Sequence, residues 1–170
     1  MRRSGVRSVL LVVVLLGGSG ACWFPYGFAG GGLPPNIKTV AVLPFDNETA
    51  MPDLQRDVTE TLRRELAGKL GLREAAEGRA HAVVRGKILR YDPDIPIGFS
   101  ADPNRASTAR RKLQITVDVS IIDQSSGKPL LEKRGLISEG EYAESAETAG
   151  RRQAIEKLVD EIVRGVQSQW

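Results

Sequence analysis

The clearest pattern in the chain is a strict alternation. Leu113, Ile115, Val117, Val119 and Ile121 are apolar, while Gln114, Thr116, Asp118 and Ser120 between them are polar. Successive side chains of a strand point to opposite faces, so this segment predicts a strand with one buried and one wet face. Asp123-Gln124-Ser125-Ser126-Gly127-Lys128 then predicts a hairpin turn. Leu130 to Tyr142 returns as the next strand, with Gly135 and Gly140 as bulge positions. Thr39-Val40-Ala41-Val42-Leu43-Pro44 is a continuous apolar run stopped by proline, the pattern of a strand buried on both faces. Leu54, Val58, Leu62, Leu66 and Leu70 recur every four residues, which predicts a helix over about 53–69, with Pro52 in its first turn and Gly71 as its stop. Ala82 to Tyr91 reads as a strand. Residues 92–109 carry three prolines and read as a long loop, of the kind that is functional or disordered in compact domains. Ile155, Leu158, Val159, Ile162, Val163 and Val166 mark one face of a last helix over about 145–167. The order is β-α-β-β-β-α. Each helix has one apolar face, and the simplest packing sets both on one face of a roughly four-stranded mixed or antiparallel sheet, an α+β fold.

The N-terminal end follows a different pattern. Arg2, Arg3 and Arg7 precede the apolar run Ser8-Val9-Leu10-Leu11-Val12-Val13-Val14-Leu15-Leu16, and Gly17-Gly18-Ser19-Gly20-Ala21 leads to Cys22. Basic, then apolar, then small is the order of a secretory signal. The run is about half of the ~20 residues a permanent membrane helix needs. Cys22 is the single cysteine, so no disulfide within the chain is available to it. Its place at the cut marks it as a lipid-attachment residue. Ser19 stands where lipoprotein signals usually carry Leu, which leaves ordinary cleavage after Ala21 as the alternative. One acyl chain binds a membrane only marginally, whereas three would anchor stably at roughly 0.8 kcal/mol per buried CH₂. Trp23 follows the cysteine, not the Asp that retains lipoproteins at an inner membrane, so delivery to the outer membrane is expected. The chain thus divides into a signal peptide (1–21), a lipidated N-terminus with a Gly-, Pro- and aromatic-rich tether (22–36) and one domain (37–170). The tether reaches at most about 46 Å extended and roughly 20 Å as a coil.

Charge sharpens this division. The 24 Lys and Arg against 21 Asp and Glu make the chain +3, and the three signal arginines account for all of it. The mature part is neutral, which argues against nucleic-acid binding, since that needs a basic face. Catalysis is not expected. His81 is the sole histidine, and no Cys/His spacing suits a metal. Gly30-Gly31-Gly32 lacks the strand-to-helix setting of a phosphate loop and reads as tether. No catalytic set, metal or cofactor is expected.

Leu33-Pro34-Pro35-Asn36-Ile37-Lys38-Thr39-Val40-Ala41-Val42-Leu43-Pro44-Phe45-Asp46-Asn47-Glu48-Thr49, following Cys22 and Tyr26-Gly27-Phe28, resembles the LptE family of lipopolysaccharide-assembly lipoproteins. The turn Ser126-Gly127-Lys128, within Asp123 to Glu132, is similar to the family's later hairpin. The resemblance implies two helices against a four-stranded sheet. It also implies an outer-membrane location, a place as plug inside the LptD β-barrel, support of that barrel's assembly, and binding of lipopolysaccharide during its insertion into the outer leaflet. The domain would lie on the periplasmic side or within the barrel lumen.

Six cations acquire a possible role in that setting. Arg110, Arg111 and Lys112 join the long loop to the alternating strand, and Arg85, Lys87 and Arg90 lie on the strand before. If those strands pair as a hairpin, the cations are expected to gather near one end of the sheet. Arg grips phosphate with forked hydrogen bonds and Lys as a point charge, so lipid A phosphates would suit them. The alternative is a solvated strand edge, where such charges discourage aggregation. Glu139, Glu141, Glu144 and Glu147 precede the last helix, where negative charge favours a helix N-terminus. Two rival functions stay open: a self-assembling envelope lipoprotein of the curli-secretion type, and a periplasmic enzyme.

Overall fold

The computed structural model describes residues 33–98, 110–143 and 146–168, with backbone alone at 96–98. Six strands and two long helices form one sheet with one helical layer: β1 (Thr39–Val42), β2 (Asp46–Asn47), α1 (Asp53–Leu70), β3 (Arg73–Glu74), a 3-10 turn (Glu77–Arg79), β4 (Ala82–Gly98), β5 (Arg110–Asp123), β6 (Pro129–Ala143) and α2 (Glu147–Ser168). The sheet order is β3-β1-β4-β5-β6, with β2 pairing β4 off that path. β1, β2 and β3 pair in parallel and β4, β5 and β6 antiparallel, so the sheet is mixed. The expected α+β fold with two helices is present. Four strands become six because β2 and β3 are two residues each, too short to leave a period.

The helices form where the stripes predicted them. Leu54, Val58, Leu62 and Leu66 of α1 are buried, as are Ile155, Leu158, Val159, Ile162, Val163 and Val166 of α2. Gly71 ends α1 in the left-handed conformation (φ 65°) and donates its N–H to the Leu66 carbonyl. The helices face Leu113, Ile115, Val117, Val119 and Ile121 of β5, all buried, while the residues between them stay partly exposed. β1 is buried on both faces as its composition required. Val40 and Val42 join the main core, and Ala41 packs with Ala80 and Val83 beneath the 3-10 turn.

Two expectations need correction. Residues 92–98 are not loop: β4 continues through Pro93 and Pro96 to Gly98. Proline is tolerated because it stands at bulges on a free edge. β1 and β2 pair β4 only as far as Ile88, and the β4–β5 register shifts at three places, between Ile88 and Arg90, Asp92 and Ile95, and Pro96 and Gly98. The remainder of the long loop, 99–109, lies outside the described residues, as do the signal, Cys22 and the tether up to residue 32.

Gly140 is likewise no bulge; it pairs regularly with Leu113. It lets α2 come close, for a Cβ there would stand 1.9 Å from the Gly150 carbonyl oxygen. Gly135 does occupy a register shift, between the pairs Val117–Leu136 and Val119–Lys133, with φ 61° and its N–H donated to Asp118 Oδ1 at 2.7 Å.

Candidate functional site

The helices cover one face of β4, β5 and β6. The other face is polar and open, and it holds most of the cations singled out from the sequence. β4 and β5 pair as an antiparallel hairpin, as the phosphate reading assumed. The cations nevertheless do not gather at one end. Arg85 and Lys87 lie opposite Ser120 and Asp118, whereas Lys112, Arg111 and Arg110 lie opposite Ile95, Pro96 and Gly98. Along β5 the groups lie six to ten residues apart, roughly 20–33 Å at ~3.3 Å per residue. An antiparallel hairpin brings together only residues equidistant from its turn, and 85–87 and 110–112 are not. Arg90, opposite Thr116, stands between the groups. Arg111 belongs to the opposite face from Arg110 and Lys112, because adjacent strand residues alternate.

Each of the six cations meets a carboxylate. Arg85 Nη2 lies 2.9 Å from Glu77 Oε1, Lys87 Nζ 2.9 Å from Glu48 Oε1, and Lys112 Nζ 2.8 Å from Glu139 Oε1. Arg90 approaches Asp92 at 3.8 Å and Arg110 approaches Glu141 at 3.9 Å, both through exposed side chains, and Arg111 pairs with Asp94. The hydrogen bond to Glu48 holds the Lys87 ammonium above its ordinary pKa. Glu139 and Glu141, read as helix-end charges, serve as cross-strand partners. Glu147 does open α2, where it accepts a 2.6 Å hydrogen bond from the Tyr91 hydroxyl. Burial first, and then this carboxylate, push the Tyr91 phenol well above its usual pKa.

The sequence reading missed two neighbours. Lys133 and Arg134 of β6 join Arg85 and Lys87 around a shallow depression of about 260 Å³, whose acidic side is Asp46, Asp118 and Glu132. Arg134 is bonded to Glu132 Oε1 through Nε at 3.1 Å and Nη2 at 2.8 Å. Residues two apart on a strand share a face, and the register that brings Lys133 and Arg134 beside Arg85 and Lys87 is announced by no residue-type motif. Cations and carboxylates thus pair within strands, across strands and with the flanking turns, each pair worth little at an exposed site. The face is a wet, mixed-charge surface with one apolar exception: Ile137 is 51 % exposed, the single exposed large hydrophobic among the described residues.

Other polar groups are structural. His81 Nδ1 accepts from the Lys38 N–H at 3.3 Å and lies 2.9 Å from Thr39 Oγ1, tying β4 to the start of β1. Arg63 reaches from α1 to the Val42 carbonyl at 2.8 Å, the end of β1 that the short β3 leaves unpaired. Among the described residues no group of three or more His, Cys, Asp or Glu is placed to hold a metal. No helix of the described residues is long and apolar enough to cross a membrane.

Comparison with known proteins adds a family. The LptE model, described as lipopolysaccharide-assembly, matches residues 37–167. No curated protein matches the chain. Among solved structures, protein XCC0632 from Xanthomonas campestris is 10% identical over 81% of this chain and 91% of its own, with a TM-score of 0.51. The hypothetical protein CT253 from Chlamydia trachomatis is 16% identical over 78% of this chain and 97% of its own, at 0.50. The PelC dodecamer from Paraburkholderia phytofirmans is 18% identical over 76% of this chain and 90% of its own, at 0.46. At these identities the likeness of the first two is one of fold.

Proposed function

The chain belongs to the LptE family of lipopolysaccharide-assembly proteins, and from that premise we propose that it is a non-enzymatic outer-membrane lipoprotein. In this reading it partners an LptD-like β-barrel and helps lipopolysaccharide reach the outer leaflet. The observation that carries the reading is the family match, which spans the domain from Ile37, just before β1, to the last turn of α2. The bare face supports it. A barrel interior is polar, and a sheet face of paired, mixed charges can lie against such a wall without desolvating an unpaired charge. Export would begin with the signal at 1–21, and lipid on Cys22 would hold the domain to the membrane through the tether.

The phosphate-binding role of the six cations takes a narrower form. A lipid A phosphate would have to exchange places with a carboxylate at each of them. Arg110 and Arg90 hold theirs most loosely, at 3.9 and 3.8 Å. Replacing Arg110, Arg111 and Lys112 with Ser should weaken lipopolysaccharide binding, and an unchanged affinity would remove that group from the site.

Affinity purification of the full-length protein from outer membranes tests the partner. A large β-barrel should co-purify in stoichiometric amount. Recovery of the chain alone, or only with itself, would overturn the reading.

A further inference from the structure

β6 is the long outer strand of the sheet. The outward main-chain groups of such an edge are open to pairing with another strand. In an antiparallel ladder these groups belong to alternate residues. On β6 they include Ile137, Glu139 and Glu141, since the Glu141 N–H and the Glu139 carbonyl both bond away from β5.

Two side chains of α2 reach them. Gln153 Oε1 accepts the Glu141 N–H at 2.9 Å, and Lys157 Nζ donates to the Glu139 carbonyl at 3.1 Å. A strand added beside Gly140 would offer the same two partners, one carbonyl to the Glu141 N–H and one N–H to the Glu139 carbonyl. Gln153 and Lys157, four residues apart on one helix face, stand in for both. They reach because Gly140 and Gly150 let α2 approach closely, and the Ser138 hydroxyl, donating to the Ala154 carbonyl at 2.7 Å, pins the helix there. Nearer the turn, the same edge is broken by the Gly135 register shift and flanked by Lys133 and Arg134.

We propose that Gln153 and Lys157 are a built-in guard that closes the β6 edge against strand addition by a second copy of this chain. The edge has the makings of a self-pairing strand. A two-fold axis at Ile137 would bury the single exposed large hydrophobic of the described residues against its own copy and bring Arg134 towards Glu139 of the other chain. The same axis sets Glu132 near Glu141, a repulsion that keeps the pairing weak and lets two side-chain caps suppress it.

Sedimentation equilibrium on the full-length protein in detergent tests this. The parent should remain monomeric across the concentration range. The variant Gln153→Met/Lys157→Met, which keeps the aliphatic stems and removes both caps, should self-associate at least tenfold more tightly. Adding Ile137→Glu should reverse the gain, and Gln153→Glu, which retains an acceptor, should match the parent. A folded double variant that associates no more than the parent overturns the proposal, as does a parent already dimeric through this edge. Should the double variant fail to fold, Lys157→Met alone carries the test: it frees the Glu139 carbonyl, and unchanged association overturns the guard.

Discussion

Phe45 and Gly86 show how much a single position can decide. The Phe45 ring is fully buried and lies across Gly86, where a Cβ would stand 2.1 Å from Cε1. The buried ring would have to shift within the core, so Gly86→Ala should destabilise the protein by about 1–3 kcal/mol, read as a lower urea midpoint with unchanged slope. Tyr91 decides an alkaline limit. Its phenol is raised in the folded state by burial and by Glu147, whereas in the unfolded chain it ionises near its ordinary value of about 10. Its contribution is therefore complete below that pH and declines as the pH rises above it. Tyr91→Phe should flatten the fall of stability as the pH rises above about 10, at a cost of about 1–2 kcal/mol near neutrality for the lost bond to Glu147. Equal alkaline slopes for the two proteins would contradict this. Neither position stood out in the sequence, because what matters is the neighbour each meets across the fold.

At the scale of elements, the contact of α2 with β6 and the end of α1 give opposite expectations for the same substitution. Gly140→Ala would drive a methyl into the Gly150 backbone, which cannot rotate aside, so the loss should reach the upper end of ~1–3 kcal/mol or exceed it. Gly68, within α1, has open space around its Cβ position and no positive φ. Gly68→Ala should stabilise by about 0.5–1 kcal/mol, because alanine loses less backbone freedom on folding. Thermal melts of the two variants should move in opposite directions. Both helices and the alternation of β5 were legible because periodicity extends over many residues. The reach of β4 through two prolines was not, because a bulge on a free edge depends on which strands stop short of it.

For the whole molecule, the decisive expectation concerns the anchor. If lipid on Cys22 holds the domain, Cys22→Ser should leave the precursor unprocessed by lipoprotein signal peptidase and remove the protein from the outer-membrane fraction; unchanged processing and fractionation would sink it. Removal of the three signal arginines leaves equal numbers of basic and acidic residues, 21 of each, so the domain has no net charge to hold it to an anionic surface in place of the lipid. The sequence by itself determined the periods: two one-sided helices, a half-wet strand and its hairpin partner, a buried first strand, and an export pattern ending at Cys22. It also determined the family resemblance that the match over 37–167 upholds. Register and pairing were left to the tertiary structure. These decided that the six cations divide along the β4–β5 hairpin, that a carboxylate answers each, and that Gln153 and Lys157 close the edge of β6. The physical reason is one of range. Burial follows local alternation, which each segment carries in its own residues, whereas a charge's partner depends on which distant strand lies beside it and at what offset.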